Sequence, residues 1–287
     1  WDTSRHPARG GDGWHDAALR VTGPVVADLA RHFAQRWGET AGERLPEPDA
    51  PARAGTVGVR VARTIPERVY RFAPRGEFGI LSAYVAALRS AERLVYIENQ
   101  FLWSVEIVDL LADKLAHPPS DDFRLVVVLP DLAHSGQDAT LGQLSRLLEA
   151  DRGAGRLLGL TVQSEAPGHH VYVHAKVCVV DDRWLTVGSA NLNEHSLFND
   201  TELNLVLDAP EVARATRERL WREHAGPDAL GADPTAVVDA VLRPLAEEQS
   251  RRRREGLPPT ARLRILERPG SRADLLLGPL DALLVDG

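Results

Sequence analysis

Apolar and polar positions repeat with two different periods along this chain, and the changes of period predict successive strands and helices. Near the start, the strand-like HDAALRVTG precedes a segment with helical spacing, which predicts a helix from Pro24 to Gly38. Strand-like segments recur in VGVRVARTI, LVYIENQFLW, FRLVVVLP and GLTVQSE, and helices are predicted between them at about 78–91, 106–115 and 139–150. This alternation predicts a layered α/β domain.

Between residues 170 and 208 the pattern changes to short strands with short breaks. HVYVHAKVCVVDD, RWLTVGSA and ELNLVLD follow one another and predict neighbouring, partly antiparallel strands, with a turn at 181–183. A further helix is predicted to start at Pro210. Residues 227–287 contain one amphipathic stretch near 237–248, and we expect them to form a tail packed on the main domain.

A segment rich in Pro, Gly, Ala and Glu divides the chain. Residues 39–56 contain three closely spaced prolines, which oppose regular structure and predict a linker. The predicted organisation is therefore a unit at 1–38, a main domain at 57–226 and a tail at 227–287. The chain has no methionine and begins at Trp1, so we expect that residue 1 is not a translation start.

An internal repeat connects the two sides of the linker. Asp16 aligns with Glu202, and Pro24 aligns with Pro210, without a gap. Apolar residues also match, namely Leu19 with Leu205, Val21 with Leu207, Val26 with Val212 and Ala27 with Ala213. The repeat predicts that residues 1–38 are the end of a first copy of a duplicated half.

Composition limits the classes of function that need to be considered. The 287 residues carry a formal charge of −7, which argues against a protein that coats nucleic acid through general basicity. Of 34 basic residues only Lys114 and Lys176 are lysines, a bias typical of a high-GC bacterial genome. The single Cys178 excludes an intrachain disulfide framework. No apolar run reaches the roughly 18 residues that a membrane span needs.

The predicted hairpin carries a group of residues suited to phosphate chemistry. His174 and Lys176 are separated by one residue, so they share a face of a strand, and the turn brings Gly188, Ser189 and Asn191 beside them. Small residues there would let an anion approach the backbone. Lysine and asparagine can hold negative oxygens, while histidine can attack phosphorus or transfer a proton. This set predicts a phosphodiester site that requires no metal or other cofactor.

The sequence HAKVCVVDDRWLTVGSAN resembles the H-x-K-x4-D-x6-G-S-x-N signature of the phospholipase D superfamily. It matches at every defined position, namely His174, Lys176, Asp181, Gly188, Ser189 and Asn191. YIENQF, FNDTELNLV and LWREH resemble the second half of such proteins, and GWHDAALRVTGPVVADLARHFAQRW resembles the stretch after the first signature. The resemblance covers about residues 1–226. It implies a layered sheet flanked by helices, one complete half of a pseudo-twofold enzyme with two halves.

The resemblance also implies a mechanism and roles for individual residues. Two signatures face each other in one site, where one histidine forms a covalent phosphohistidine and the other protonates the leaving alcohol; water or another alcohol then accepts the phosphoryl group. Each histidine is oriented by an acid of its own half, which by the repeat is Glu202 for His174 and Asp16 for the first-half histidine. Asp181 is included among the catalytic residues, although the resemblance favours a structural role for it in the hairpin over a chemical one. Gln100 is expected to line the cleft. Whether His174 is the nucleophile or the general acid and base stays open.

The chain departs from the family pattern because it contains no second H-x-K-x4-D. His6 and His15 are followed two positions later by alanine instead of lysine. We therefore expect a truncated form of a two-signature enzyme, completed by the missing first half or by a second subunit.

The acidic charge favours a phospholipid at a membrane surface over nucleic acid as substrate, and the resemblance of YIENQF to the lipid-acting branch of the family implies the same. The expected reaction is hydrolysis or transfer of phosphatidyl groups. The alternatives are a single-signature homodimeric phosphodiesterase or nuclease, a cardiolipin-synthase-like transferase, and a protein that binds phosphate or lipid without turnover. No compartment signal is visible, and a soluble or membrane-peripheral protein is expected, with the cytoplasm favoured.

Overall fold

The computed structural model describes residues 13–47, 49–131, 137–164 and 171–266. Strands in these residues are β1 (Gly13–His15), β2 (Val59–Ile65), β3 (Glu77–Phe78), β4 (Leu94–Glu98), β5 (Arg124–Val128), β6 (Leu157–Val162), β7 (Val171–Val173), β8 (Val177–Val180), β9 (Trp184–Gly188), β10 (Glu202–Asp208) and β11 (Leu263–Ile265). The α-helices are α1 (Val25–Ala41), α2 (Gly79–Ser90), α3 (Val105–Ala116), α4 (Gln137–Asp151), α5 (Pro210–Ala225), α6 (Pro234–Val237) and α7 (Arg243–Arg254).

Nine strands form one mixed sheet in the order β11-β6-β5-β4-β8-β9-β10-β2-β3. The strands β4, β5 and β6 run parallel to one another, while β8, β9, β10, β2 and β3 form an antiparallel series. The two parts meet where β4 pairs antiparallel with β8. A separate two-stranded sheet consists of β1 and β7, which run parallel. Parallel strands need crossover helices, which explains why α3 and α4 follow β4 and β5.

The large sheet is covered on both faces, and each face has its own core. Along β4, Leu94 and Tyr96 point into one core and Val95 and Ile97 into the other, as the two-residue period of a strand requires. Residues of α1, α5, α6 and α7 line the first core, and residues of α2, α3 and α4 line the second. The predicted α/β layered fold is therefore confirmed.

The N-terminal elements differ in extent from the predictions. The helix α1 continues to Ala41 and ends at Gly42, whose left-handed φ of 68° is the usual conformation for a helix terminator. The boundary predicted at residue 38 therefore falls inside a helix. The predicted strand is confined to β1, because its partner β7 is only three residues long, and residues 16–22 form neither helix nor strand.

The region predicted as a tail contributes to the main sheet. Helix α6 continues through a π-helical turn (Val238–Leu242) into α7, and β11 then pairs antiparallel with β6 at the edge of the sheet. The described residues up to 266 therefore belong to the same fold as the signature. The apolar LLLGPLDALL lies outside the described residues, as does His6. None of the helices in the described part of the chain has both the length and the apolar character that crossing a bilayer requires.

Candidate active site

The signature lies on the β8–β9 hairpin and on the segment leading into it. Val177 pairs with Val187, and the Gly188 N–H donates to the Lys176 carbonyl at 3.2 Å, so the predicted register is confirmed. The turn contains Asp181 and Asp182 with φ of 52° and 51°, a left-handed conformation that aspartate tolerates better than most residues. His174 and Lys176 differ from the prediction, because they lie between β7 and β8 where the chain passes from the small sheet to the large one.

His174 is held by a carboxylate from the N-terminal part of the chain. Its Nδ1 lies 2.8 Å from Asp16 Oδ2, and its backbone N–H donates to the His15 carbonyl at 2.8 Å. Partial burial opposes the charge on Asp16, but hydrogen bonds from His174 and from the Ala17 N–H outweigh it and lower the pKa of Asp16. A carboxylate at Nδ1 keeps a proton on that nitrogen and leaves the lone pair of Nε2 for chemistry.

Glu202 occupies a different position from the one predicted. Its Oε1 accepts a hydrogen bond from Ser196 Oγ at 2.7 Å, and its Oε2 accepts one from Ser189 Oγ. The predicted pairing of His174 with Glu202 is therefore wrong, and Asp16 takes that place. The reason is topological: β1 lies beside β7 and delivers Asp16 next to His174, whereas Glu202 begins β10, two strands away from β8.

Lys176 is almost fully buried, with 4% of its surface exposed. Its Nζ donates to the His174 carbonyl at 2.5 Å and to Gln100 Oε1 at 3.2 Å. Burial lowers the pKa of Lys176 to about 8, although the negative charges of Asp16 and Glu202 oppose the shift. The ammonium group is thus a cation with few competing water contacts, which strengthens its attraction for an anion.

This pKa predicts that anion binding depends on pH. Below pH 8 Lys176 is protonated, and its charge is lost as the pH rises through about 8. We therefore expect the affinity of the site for tungstate, used as a phosphate mimic, to fall by up to about tenfold per pH unit above that point. Calorimetric titration between about pH 7 and about pH 10 measures the change. Lys176→Arg keeps the charge throughout and should give a flat profile. A flat profile for the unmodified chain would contradict the prediction.

Gln100 joins Lys176 to the residues that follow β9. Its Oε1 also lies 3.4 Å from Asn191 Nδ2, and its Nε2 donates to the Tyr172 hydroxyl at 2.8 Å. The structure thus brings Gln100, Lys176 and Asn191 together, while Ser189 turns its hydroxyl towards Glu202.

Asp181 lies away from this group, at the other end of β8. Its carboxylate accepts hydrogen bonds from the backbone N–H groups of Glu92, Arg93 and Leu94, each at 2.8 Å. These contacts fasten the hairpin turn to the start of β4. Asp181 therefore has a structural place in the fold, and its inclusion among catalytic residues is corrected accordingly.

Gly188 is required by packing against β10. A methyl group at this position would overlap the Asn204 side chain and the Leu203 carbonyl. Asn204 is fully buried and cannot move easily, because its Oδ1 accepts from the Ala190 N–H and its Nδ2 donates to Thr186 Oγ1. The small size of Gly188 thus serves its close contact with Asn204 and Leu203, in place of the expected approach of an anion.

We expect Gly188→Ala to destabilise the protein by roughly 3 kcal/mol, because the added methyl overpacks a buried hydrogen-bonded position. Thermal unfolding followed by circular dichroism measures the loss. Gly58→Ala is the matched control, since no atom lies within 4 Å of the position of its new methyl group. Equal melting temperatures for the two variants would contradict the prediction.

Several residues near the site were not singled out from the sequence. The Trp14 ring lies 5.0 Å from the His174 ring and 5.1 Å from the Tyr172 ring, measured between centroids, and Trp14 is 47% exposed. The available signal was the position of Trp14 two residues before Asp16 on the same strand-like segment. The chain therefore places an aromatic surface beside His174.

A second polar cluster lies buried beside β1. Among the described residues, His15, Glu98 and His224 form a group whose potential ligand atoms lie within 4.8 Å of one another, and these three side chains could hold a metal ion. They instead contact each other directly, with His15 Nε2 at 2.6 Å and His224 Nε2 at 2.7 Å from the Glu98 carboxylate. Both separations fit shared protons, so the Nε2 atoms of the two histidines are engaged in hydrogen bonds with Glu98.

The site geometry and the signature indicate a phospholipase D-like protein, and comparison with known proteins supports this class. The family model described as "Cardiolipin synthase, PLD-like domain" matches residues 84–223. This match and the relatives below support the phospholipase D superfamily as the family that the signature indicates. Phospholipase D2 from Bos taurus is 28% identical to it, with 69% of this chain and 28% of the relative covered. Phospholipase D1 from Schizosaccharomyces pombe is 27% identical, with 75% and 21% covered.

The chain thus spans about a quarter of the length of the curated relatives it matches. Among solved structures, Nuc from Salmonella typhimurium, described as a phospholipase D family member, superposes with a TM-score of 0.41 at 17% identity. That superposition covers 57% of this chain and 91% of Nuc.

Proposed function

We propose that this chain carries one half of a phospholipase D-type active site, which hydrolyses or transfers phosphatidyl groups through histidine chemistry. One observation carries the proposal: Asp16 Oδ2 lies 2.8 Å from His174 Nδ1, while Lys176 lies buried next to the same histidine. This arrangement supplies an oriented imidazole and a fixed cation, which are the two groups that attack on a phosphodiester requires.

The proposed reaction has two steps. The Nε2 atom of one histidine attacks phosphorus, a P–N bond forms, and the P–O bond to the leaving alcohol breaks as the other histidine donates a proton to that oxygen. Water or an alcohol then attacks phosphorus, loses its proton to the second histidine and displaces the first, so both imidazoles return to their starting state. Lys176 and Asn191 neutralise the negative oxygens during both steps.

The second histidine would come from another copy of the signature, in another segment of the natural protein or in a second subunit. The repeat aligns Asp16 with Glu202. Asp16 belongs to the unit at 1–38 but pairs with His174 of the main domain. By the same relation we propose that Glu202 orients the second histidine. The negative charges of both acids act on Lys176, which supports a location for both carboxylates at one site.

A phospholipid is the proposed substrate class. The net charge of −7 gives no general attraction for a polyanion, and the exposed Trp14 ring beside His174 offers a surface for an apolar or headgroup contact. The relatives named above are phospholipases D by name, which agrees with this choice.

The protein with both signatures assembled, either the natural protein or a dimer of this chain, tests the proposal on phosphatidylcholine vesicles with added ethanol. We expect choline release together with phosphatidylethanol, because an alcohol competes with water for the phosphoryl enzyme. An activated diester, bis(4-nitrophenyl) phosphate, serves as a parallel substrate that needs no protonated leaving group. Absence of product from both substrates would overturn the proposal. Cleavage of single-stranded DNA without choline release would instead indicate that the protein is a nuclease.

A cardiolipin-synthase-like transfer is the second candidate, favoured by the description of the matching family model. The chemistry is identical, and only the accepting alcohol differs. Vesicles containing phosphatidylglycerol as both donor and acceptor separate the two candidates, because glycerol release with formation of a four-chain lipid would favour the transferase.

A further inference from the structure

The buried cluster beside the proposed site extends beyond three residues. We call His15, Glu98, His224, Glu223 and Tyr96 the buried ion network. Glu98 is completely buried, and His15 and His224 are exposed by only 1% and 3%. The Glu98 carboxylate accepts hydrogen bonds from both histidines and from the Tyr96 hydroxyl, and His15 Nδ1 lies 3.2 Å from Glu223 Oε1. Such a set is costly to bury unless its charges are paired.

The protons of the network can be assigned from these contacts. His15 faces a carboxylate at each ring nitrogen, so both nitrogens donate and the ring is an imidazolium. Burial disfavours that charge, but the field of Glu98 and hydrogen bonds with Glu223 and Glu98 raise the pKa of His15 to about 10. Burial lowers the pKa of His224, which therefore serves as a neutral donor. The network is a cation held between two anions, of which Glu98 is completely buried and Glu223 is partly exposed.

Each end of the network is joined by the backbone to a residue of the proposed site. His15 precedes Asp16, and its carbonyl accepts the hydrogen bond from the His174 N–H at 2.8 Å. Glu98 ends β4, two residues before Gln100, which contacts Lys176. The strand β1 pairs with β7 in a sheet of only two three-residue strands. That pairing alone is a weak attachment for the segment that carries Asp16.

We propose that the buried ion network is the positioning element of the site, which fastens β1 to the end of β4 and to helix α5 and so holds the Asp16 carboxylate against His174 Nδ1. The inference rests on the proposed function, because Asp16 and His174 are its reacting groups. The network itself touches no substrate. Its members act through the backbone position of Asp16 and Gln100.

Glu98→Gln tests the role of the network, because it keeps the side-chain size and removes the central charge. Without that charge His15 loses its main counter-ion, and β1 should loosen. We expect the Nδ1-protonated form of His174, observed by long-range proton–nitrogen correlation, to give way to a mixture of tautomers. Tungstate affinity measured by calorimetry should fall about tenfold. His15→Gln, which cannot carry a charge, should produce the same two changes and serves if Glu98→Gln does not fold.

The matched control is Asp182→Asn, which weakens another ion pair made by helix α5, the helix that also carries His224. Arg217 of α5 is fully buried and binds Asp182 through Nε at 2.6 Å and Nη2 at 2.7 Å, at the hairpin turn remote from Asp16. This variant should lower the melting temperature and leave the His174 signal and the tungstate affinity unchanged.

Two outcomes would overturn the inference. The network would be only structural if Glu98→Gln lowered the melting temperature as the control does, with the His174 tautomer and tungstate affinity intact. It would be a metal site if the chain bound one Zn²⁺ with loss of binding in Glu98→Gln. The tautomer of His174 is measured without substrate. If the chain cleaved no phosphodiester, the proposed function would fail, but the tautomer would still decide whether the buried ion network positions Asp16.

Discussion

His174→Ala is expected to reduce choline release from phosphatidylcholine to the uncatalysed background in the protein that carries both histidines, a loss of at least about 10³-fold, because this reaction needs both a nucleophile and a general acid. The variant removes the imidazole that Asp16 orients and leaves Lys176 and Gln100 in place. Electrostatic binding of the phosphodiester therefore survives, while the step that needs the His174 imidazole does not. Release of choline measures the rate, and release of 4-nitrophenolate from bis(4-nitrophenyl) phosphate is followed in parallel by absorbance.

The choice of substrate also separates the two possible roles of His174. A 4-nitrophenolate group leaves without a proton, so loss of a general acid would slow choline release far more than this reaction. Loss of the nucleophile would slow both. His117→Ala is the matched control, because His117 is exposed at the end of α3 and pairs with Asp113 only at the surface. A His174→Ala variant that releases choline and cleaves the activated diester, both at the normal rate, would remove the basis of the proposed mechanism.

The hairpin that carries the signature is predictable because its determinants are local. Alternating apolar residues fix which side of β8 faces each core, and the turn residues fix the register with β9, so the approach of Gly188 to Lys176 follows directly. The same local pattern could not show that the chain leaves the large sheet at His174. That break depends on β1, which contacts this segment from the far end of the sequence.

The partner of His174 could not be predicted, because the repeat shows equivalence and not contact. Asp16 and Glu202 occupy matching places in the repeat, but His174 and Asp16 are 158 positions apart and meet only through the β1–β7 pairing. In an arrangement with approximate twofold symmetry, an acid can serve the histidine of its own unit or that of the other unit. Only the three-dimensional placement distinguishes the two possibilities.

The buried ion network shows a similar limit. A polar residue at the end of an apolar strand, such as Glu98, is visible in the sequence. Its partners His15 and His224 are 83 and 126 positions away. Neither periodicity nor composition connects residues over such distances, so the network emerges only when β1, β4 and α5 are packed together.

Asp16→Asn is expected to slow phosphodiester hydrolysis by about 10²- to 10⁴-fold with a small change in melting temperature. An asparagine amide can donate to Nδ1, which favours the tautomer with a proton on Nε2 and removes the lone pair needed for attack. Asp16 is half exposed, so its replacement leaves no buried charge without a partner. Choline release from phosphatidylcholine gives the rate, and long-range proton–nitrogen correlation gives the tautomer of His174.

Glu202→Gln is the informative comparison, because it changes the acid that the repeat alone would assign to His174. Glu202 bonds to Ser189 and Ser196, so its replacement should leave the Nδ1-protonated signal of His174 in place. The opposite result, in which Glu202→Gln alters that signal and Asp16→Asn does not, would restore the pairing within one unit. In that case the contact between β1 and β7 would have a purely structural purpose, and the positioning role of the buried ion network would fail with it.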